Sequence, residues 1–276
     1  MTDFSNYNIM NTEPKQPGKY VYERFIDIHC HCLAGLDDGP SGISQSMTLC
    51  KELVRENIAA VIATPHQLGS YDGLNEAQTI RDAVIKHNEI LKKEGIPIKI
   101  FPGGEVRVDE RICRLLEDDK ILTLADNERY ILLELPHLVF IDIEPILRDL
   151  VSMNIFPIIS HAERIETFIK KPNILFKWLK HPIILQITAS SLLGGFGKAV
   201  EKTAWDFLNY GFACIVASDS HNTNSRRPML KAAYKLIAFR LGKRAAYRVC
   251  IENPLKVIKG KEIPHNQLFE KQEVIS

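Results

Sequence analysis

"FIDIHCHCLAGLDDGP", residues 25–40, sets two histidines and two cysteines in four consecutive positions and follows them with two aspartates. Side chains at i, i+2 and i+4 of a strand share a face. As a strand, the stretch therefore points Asp27, His29 and His31 one way and Ile28, Cys30 and Cys32 the other. The cysteines then cannot easily join the histidines around one ion. The expected picture is a strand with a polar, ligand-bearing face and an apolar back, with Asp38 in the loop beyond its C-terminal end.

Working outward, short apolar runs of the same kind recur: "AAVIAT", "IKIFPG", "YILLEL", "FPIIS", "IILQIT" and "ACIVAS". Each is rich in Ile, Val and Leu and short enough for a buried strand. Amphipathic stretches lie between them, including "SQSMTLCKELVREN", "NEAQTIRDAVIKHNEILKKEG", "AVEKTAWDFLNYG" and "RRPMLKAAYKLIAFRLG". Gly95, Gly211 and Gly242 sit where helices should stop. Strand followed by helix, seven times over, predicts parallel strands with right-handed crossovers, either a closed barrel or an open doubly wound sheet. No GxGxxG follows the first strand, which argues against a dinucleotide-binding sheet. Polar residues 1–24, with Pro14, Pro17 and Gly18, are expected to form a flexible arm, and 262–276 a loose tail, on either side of one domain at 25–261.

Composition narrows the function. Lys plus Arg number 35 and Asp plus Glu 34, a formal charge of +1, so no polyanion-binding surface and no nucleic-acid partner are expected. No run approaches the roughly 18 apolar residues of a membrane span. The N-terminus has neither the basic nor the apolar region of a signal peptide, so a cytoplasmic location is expected. The six cysteines would there stay reduced; they form no CxxC pair, which argues against a structural zinc site. None is followed by arginine six positions on, the pattern a cysteine-nucleophile phosphatase needs; Cys50 comes nearest, with Arg55 one position short.

Six of the nine histidines fall at or just past a strand's C-terminal end: His29, His31, His66 in "IATPH", His137 in "LLELPH", His161 in "IISHAER" and His221 in "VASDSH". His87, His181 and His265 have helix or loop contexts. Asp38, Glu105 in "FPGGEV" and Asp219 in "ASDSH" join the first group. In parallel α/β folds these ends converge on one face, where active sites are built. Burying so many imidazoles and carboxylates together without cations is costly. Imidazole and carboxylate are ligands for Zn, Fe and Mn. Nine donors exceed one ion's needs and suit two or three.

The segments "DIHCH", "LDDGP", "ATPH", "PGGEV", "LLELP", "SHAER", "QITASSLLGGFGK" and "ASDSHN" resemble, in order and spacing, the PHP (polymerase and histidinol phosphatase) superfamily. They are most similar to its bacterial tyrosine phosphatases that regulate capsule and exopolysaccharide synthesis, over about residues 25–258. The resemblance implies a distorted seven-stranded β/α barrel of TIM-like type and a trinuclear, commonly manganese-dependent cluster. It implies the ligands His29, His31, Asp38, His66, Glu105, His137, His161, Asp219 and His221, the set the strand ends had selected. It makes Glu105 the candidate bridging carboxylate and Arg226 the phosphate clamp, with Arg227 and Arg164 the guanidiniums next in line. It further implies phosphotyrosine hydrolysis by a metal-activated water, on a bacterial tyrosine autokinase. A histidinol phosphatase, a small-molecule phosphomonoesterase, would share the site; an exonuclease and a vestigial binding module are the other readings. The chain departs from the family in lacking an arginine between His137 and Arg148, and in carrying Ala162 where proline is common.

Overall fold

The computed structural model describes residues 24–264; most of the expected arm and tail lie outside them. Nine strands form two parallel sheets. β1 (Phe25–Cys30), β2 (Ile58–Ala63) and β4 (Lys99–Phe101) make the first, in the order β1-β2-β4. β3 (His66–Gln67), β5 (Glu105–Arg107), β6 (Tyr130–Glu134), β7 (Phe156–Ile159), β8 (Ile184–Thr188) and β9 (Ala213–Ala217) make the second, in that order.

Seven runs become nine strands because two of them are interrupted. Thr64-Pro65 separates β2 from β3, and Pro102-Gly103-Gly104 separates β4 from β5. Proline cannot donate to a ladder. The halves nevertheless pair with halves, β2 with β4 and β3 with β5. The two glycines are there because the chains pass too closely for a side chain. A Cβ on Gly103 would lie 2.6 Å from Ile62 Cγ2, and one on Gly104 2.1 Å from Gln67 Oε1. The two sheets meet at a parallel bridge, Cys30 to Ser220, where Asp219 N–H donates to His29 O at 2.8 Å and His31 N–H to Ser220 O at 2.9 Å.

Two apolar clusters follow from this arrangement. Ile26, Ile28, Ile62, Leu132, Ile158, Ile184 and Ile215 pack together from the strands, joined by Leu255, Val257, Ile258 and Ile263. The other cluster lies between strands and helices and includes Cys30 and Cys32 with Leu49, Cys50 and Leu53 of the helix Ile43–Arg55. Strict alternation therefore does not run through β1. Ile28 packs in the first cluster, not with the cysteines, because the register with β2 shifts between Asp27 and Cys30. Asp27 also leaves the histidines: its carboxylate accepts from the Ser218 N–H at 2.9 Å and from the Ser218 hydroxyl, clamping β1 to the end of β9.

The helices Ile43–Arg55, Ala77–Lys93, Lys198–Asn209 and Leu230–Leu241 occupy the four amphipathic stretches. The segment around 253–263 covers the N-terminal strand ends. Tyr130, first in β6, donates its hydroxyl to Lys261 O at 2.9 Å, and Asn253 donates to Cys214 O in β9 at 2.8 Å. That leaves the C-terminal ends for the polar residues.

Gly104→Ala should test the close approach. Gln67 cannot swing aside, because Leu122 N–H donates to its Oε1 and its Nε2 donates to Asn75 O. The expected cost is about 1–3 kcal/mol of overpacking, read as a lower urea midpoint. An unchanged midpoint would overturn the assignment.

Candidate metal centre

The nine sequence-selected residues lie at or beyond the C-terminal ends of β1, β2, β4, β6, β7 and β9, with His66 and Glu105 opening β3 and β5. Eight fall in three groups, the donor atoms of each within 4.8 Å of one another, and Glu105 stands among them. The first group is His29, His31 and Asp219. The two imidazoles face each other at 3.2 Å through Nε2, and Asp219 Oδ1 lies 3.4 and 3.6 Å from them. The second is His31, Asp38, His66 and His221, with Asp38 Oδ1 at 3.4 Å from His66 Nε2 and 3.1 Å from His221 Nε2. The third is His161 and His137, 3.3 Å apart through Nδ1 and Nε2, with Glu134.

Glu105 stands where the groups meet. Its Oε2 lies 3.2 Å from His29, 3.4 Å from His31 and 3.3 Å from His66, and its Oε1 lies 2.9 Å from His161. Burial pushes its pKa up, but the close contacts with His29 and His161 outweigh that and hold it well below the carboxylate range. Burial and the Arg164 charge push His161 down to about 3; burial and His31 push His221 down to about 4. Both are then neutral at ordinary pH, the ligating form of histidine.

Surrounding groups fix the rings. His29 Nδ1 meets Gln186 Oε1 at 2.9 Å and His31 Nδ1 meets Asp37 Oδ2 at 2.6 Å. With Nδ1–H donated to these oxygens, both Nε2 lone pairs point at one place, where they repel unless a cation lies between them. Asp37 also accepts from the His66 and Gly39 N–H groups, and Gln186 from the His161 N–H. His161 (φ 31°) and Asp219 (φ 51°) both adopt left-handed backbone that non-glycine residues rarely hold. Such conformations concentrate at functional sites.

The donors fit divalent ions. Glu105 Oε1 and His221 Nε2 are buried and make no well-formed hydrogen bond, each having only the close His161 or Asp38 contact given above. Every donor is nitrogen or carboxylate oxygen, suited to Mn, Fe or Zn. The thiols stay apart from the donors: Cys30 and Cys32 pack with Cys50 in the apolar cluster between strands and helices.

Two guanidiniums bracket the site. Arg226 Nη2 lies 2.8 Å from both Asp219 oxygens, and its Nη1 lies 3.4 Å from Asp38 Oδ2. Arg164 also donates to Asp219 and stacks on Phe196, its guanidinium carbon 4.7 Å from the ring centre. Arg164 is thus a second guanidinium at the site, whereas the stretch after His137 has no arginine before Arg148.

Sequence reasoning missed Glu134, Asp37 and Gln186. Glu134 ends β6, so the strand-end rule that selected the histidines reaches it too. It shares its group with the exposed His137 and the buried His161. Asp37 and Gln186 act through the histidines and carry no signal in local spacing.

A many-stranded parallel α/β fold with N/O donors clustered beyond its strand ends defines the class of protein that can hold metal ions at that face. The chain belongs to the capsular polysaccharide synthesis CpsB/CapC family, whose model matches residues 25–259. It is 32% identical over 243 residues to the tyrosine-protein phosphatase YwqE of Bacillus subtilis, covering 86% of this chain and 93% of that one. It is 29% identical over 245 residues to the tyrosine-protein phosphatase CpsB of Streptococcus pneumoniae, covering 86% of this chain and all of that one, 100%. A solved structure described among YwqE and CpsB as unique metal-dependent tyrosine phosphatases superposes with a TM-score of 0.83 at 31% identity, over 87% of this chain and 96% of that one.

Asp37→Ala removes the acceptor that orients His31 without removing a proposed ligand. Metal affinity should fall about 10–100-fold, measured by titrating Mn²⁺ into metal-stripped protein. An unchanged affinity in a folded variant would show that the His31 ring is oriented by something else.

Proposed function

We propose that this chain is a metal-dependent phosphotyrosine-protein phosphatase. The observation that carries the reading is the meeting of the three donor groups at the buried Glu105 carboxylate, with Arg226 and Arg164 both bonded to Asp219 of the first group. Two or three divalent ions, manganese first, would be held by His29, His31, Asp38, His66, Glu105, His137, His161, Asp219 and His221. Glu134 is proposed as a further ligand in the group of His137 and His161. When bound, such ions supply Lewis acidity toward phosphoryl oxygens and lower the pKa of water.

The chain's own residues do the rest. Arg226 and Arg164 bind the phosphoryl oxygens through forked N–H donors. Both face Asp219, so a dianionic phosphate meets guanidiniums already held in place and need not order them. Gln186 and Asp37 keep the imidazoles oriented. A phenol with a pKa near 10 leaves more easily than an alkyl alcohol, which favours phosphotyrosine.

The family's link to capsular polysaccharide synthesis supports a phosphotyrosine-bearing bacterial tyrosine kinase as the protein substrate. No helix among the described residues is long and apolar enough to cross a membrane, and the proposed location is the cytoplasm, where the free cysteines stay reduced. The nine strands are proposed to act as seven units of one distorted barrel, a reading supported by the Cys30–Ser220 bridge. The proposed phosphatase domain is 25–261, with Arg24 and Ile263 packed at its borders and the arm and tail outside it.

Chelation should abolish hydrolysis of p-nitrophenyl phosphate, and Mn²⁺ should restore it best; full activity after exhaustive chelation would sink the metal reading. Phosphotyrosyl peptide should be turned over faster than histidinol phosphate; the reverse order would favour the small-molecule phosphatase.

Arg226→Ala should keep its metal and lose about 10²–10³ in turnover, with Arg226→Lys recovering part. Asp219→Ala should lose metal and activity together. Metal content and turnover, measured side by side, separate these outcomes; wild-type turnover by Arg226→Ala would remove it as the clamp.

A further inference from the structure

The chain leaving the metal centre at His137 runs through Leu138, Val139, Phe140 and Ile141, which are 78%, 62%, 42% and 41% exposed. Four consecutive exposed apolar residues are abnormal for a folded surface; either alternation or helical periodicity would hide some of them. Here both ends of the run are tied down. His137 O accepts the Glu166 N–H at 2.8 Å, fastening the run to the segment that carries His161 and Arg164. At the other end Phe140 stacks on buried Trp178 with ring centres 5.8 Å apart. Asp142 accepts from Trp178 Nε1 at 3.3 Å and from the Lys177 ammonium. The apolar side chains are thus presented at a fixed place.

That place adjoins the chemistry. His137 Nε2 lies 3.3 Å from His161 Nδ1. Consecutive Cα atoms are about 3.8 Å apart, so the Val139 backbone lies within about 8 Å of His137. Phe196, on which Arg164 stacks, is 38% exposed and adds an aromatic surface beside that guanidinium. An anchored apolar run directly following His137, and an aromatic ring on Arg164, match a substrate whose charged group is flanked by apolar side chains.

We propose that Leu138 and Val139, with Phe196, form a specificity wall that binds apolar side chains flanking the phosphotyrosine of a polypeptide substrate. The proposal rests on the phosphotyrosine-protein phosphatase reading and names which phosphopeptides it prefers. The wall acts by contact with residues beside the phosphotyrosine, so a substrate lacking them does not use Leu138 or Val139.

The test compares Leu138→Ser/Val139→Ser with wild type on three substrates: p-nitrophenyl phosphate, a phosphotyrosyl peptide with leucine on both sides, and the same peptide with glycine there. Wild type should prefer the leucine-flanked peptide. The double variant should keep p-nitrophenyl phosphate hydrolysis within about twofold. It should lose about tenfold or more in kcat/KM on the leucine-flanked peptide, mainly through KM, and so lose the preference. Leu138→Glu/Val139→Glu should widen the loss on that peptide. Equal loss on all three substrates, or an unchanged preference, would overturn the proposal. So would an unchanged preference accompanied by dissociation of an oligomer, which would assign the run to contact between copies of this chain. Hydrolysis of p-nitrophenyl phosphate by wild type without hydrolysis of either peptide would instead refute the protein-phosphatase reading beneath it.

Discussion

The buried carboxylate of Glu105, within reach of four imidazoles, is the constraint on which the rest of the site depends. A carboxylate removed from water is costly unless compensated. His29 and His31 come from one strand end and His66 and His161 from two others, so their convergence requires those three ends to meet at one height. Proline 65 and the Pro102-Gly103-Gly104 interruption make this possible. They break two strands so that His66 and Glu105 restart in register with each other in β3 and β5. The missing Cβ atoms of Gly103 and Gly104 let the chains pass where Ile62 and Gln67 stand.

Charge balance explains why both arginines lie where they do. Asp219 is held well below the carboxylate range although its burial alone would raise it; His29, Arg164 and Arg226 outweigh that burial. The same guanidiniums that stabilise Asp219 are aimed at the place where a phosphoryl group would meet the donors. Phe196 holds one face of Arg164, and the turn that returns Arg226 is closed by His221 N–H donating to Arg226 O at 2.9 Å. Positions so constrained orient little further on binding, which is what preorganised charge stabilisation requires.

The cysteines of the opening stretch serve packing. Cys30 and Cys32 lie with Cys50 against the helix Ile43–Arg55, and Cys30 also reaches Ser220 Oγ at 3.2 Å. They fill space behind the histidines while Ser218 and Asp27 tie the first strand to the last. The metal donors thus rest on a soft apolar layer and on a buried hydrogen-bonded clamp.

The sequence by itself determined the succession of strands and helices, because apolar runs and amphipathic stretches have different periods. It also picked out nine candidate donors, because residues at or beyond C-terminal strand ends of a parallel α/β fold converge on one face. Only the tertiary structure decided where the strands break and how they divide into two sheets, since close approach at Gly103 and Gly104 depends on residues some forty positions away. It also decided that Ile28 faces the first apolar cluster, because a register shift overrides local alternation. The roles of Asp37, Gln186 and Arg164 belong to the tertiary structure as well. Gln186 and Arg164 act through side chains 157 and 55 residues away, which no local pattern encodes, and Asp37 reaches His31 only because the loop between them folds back.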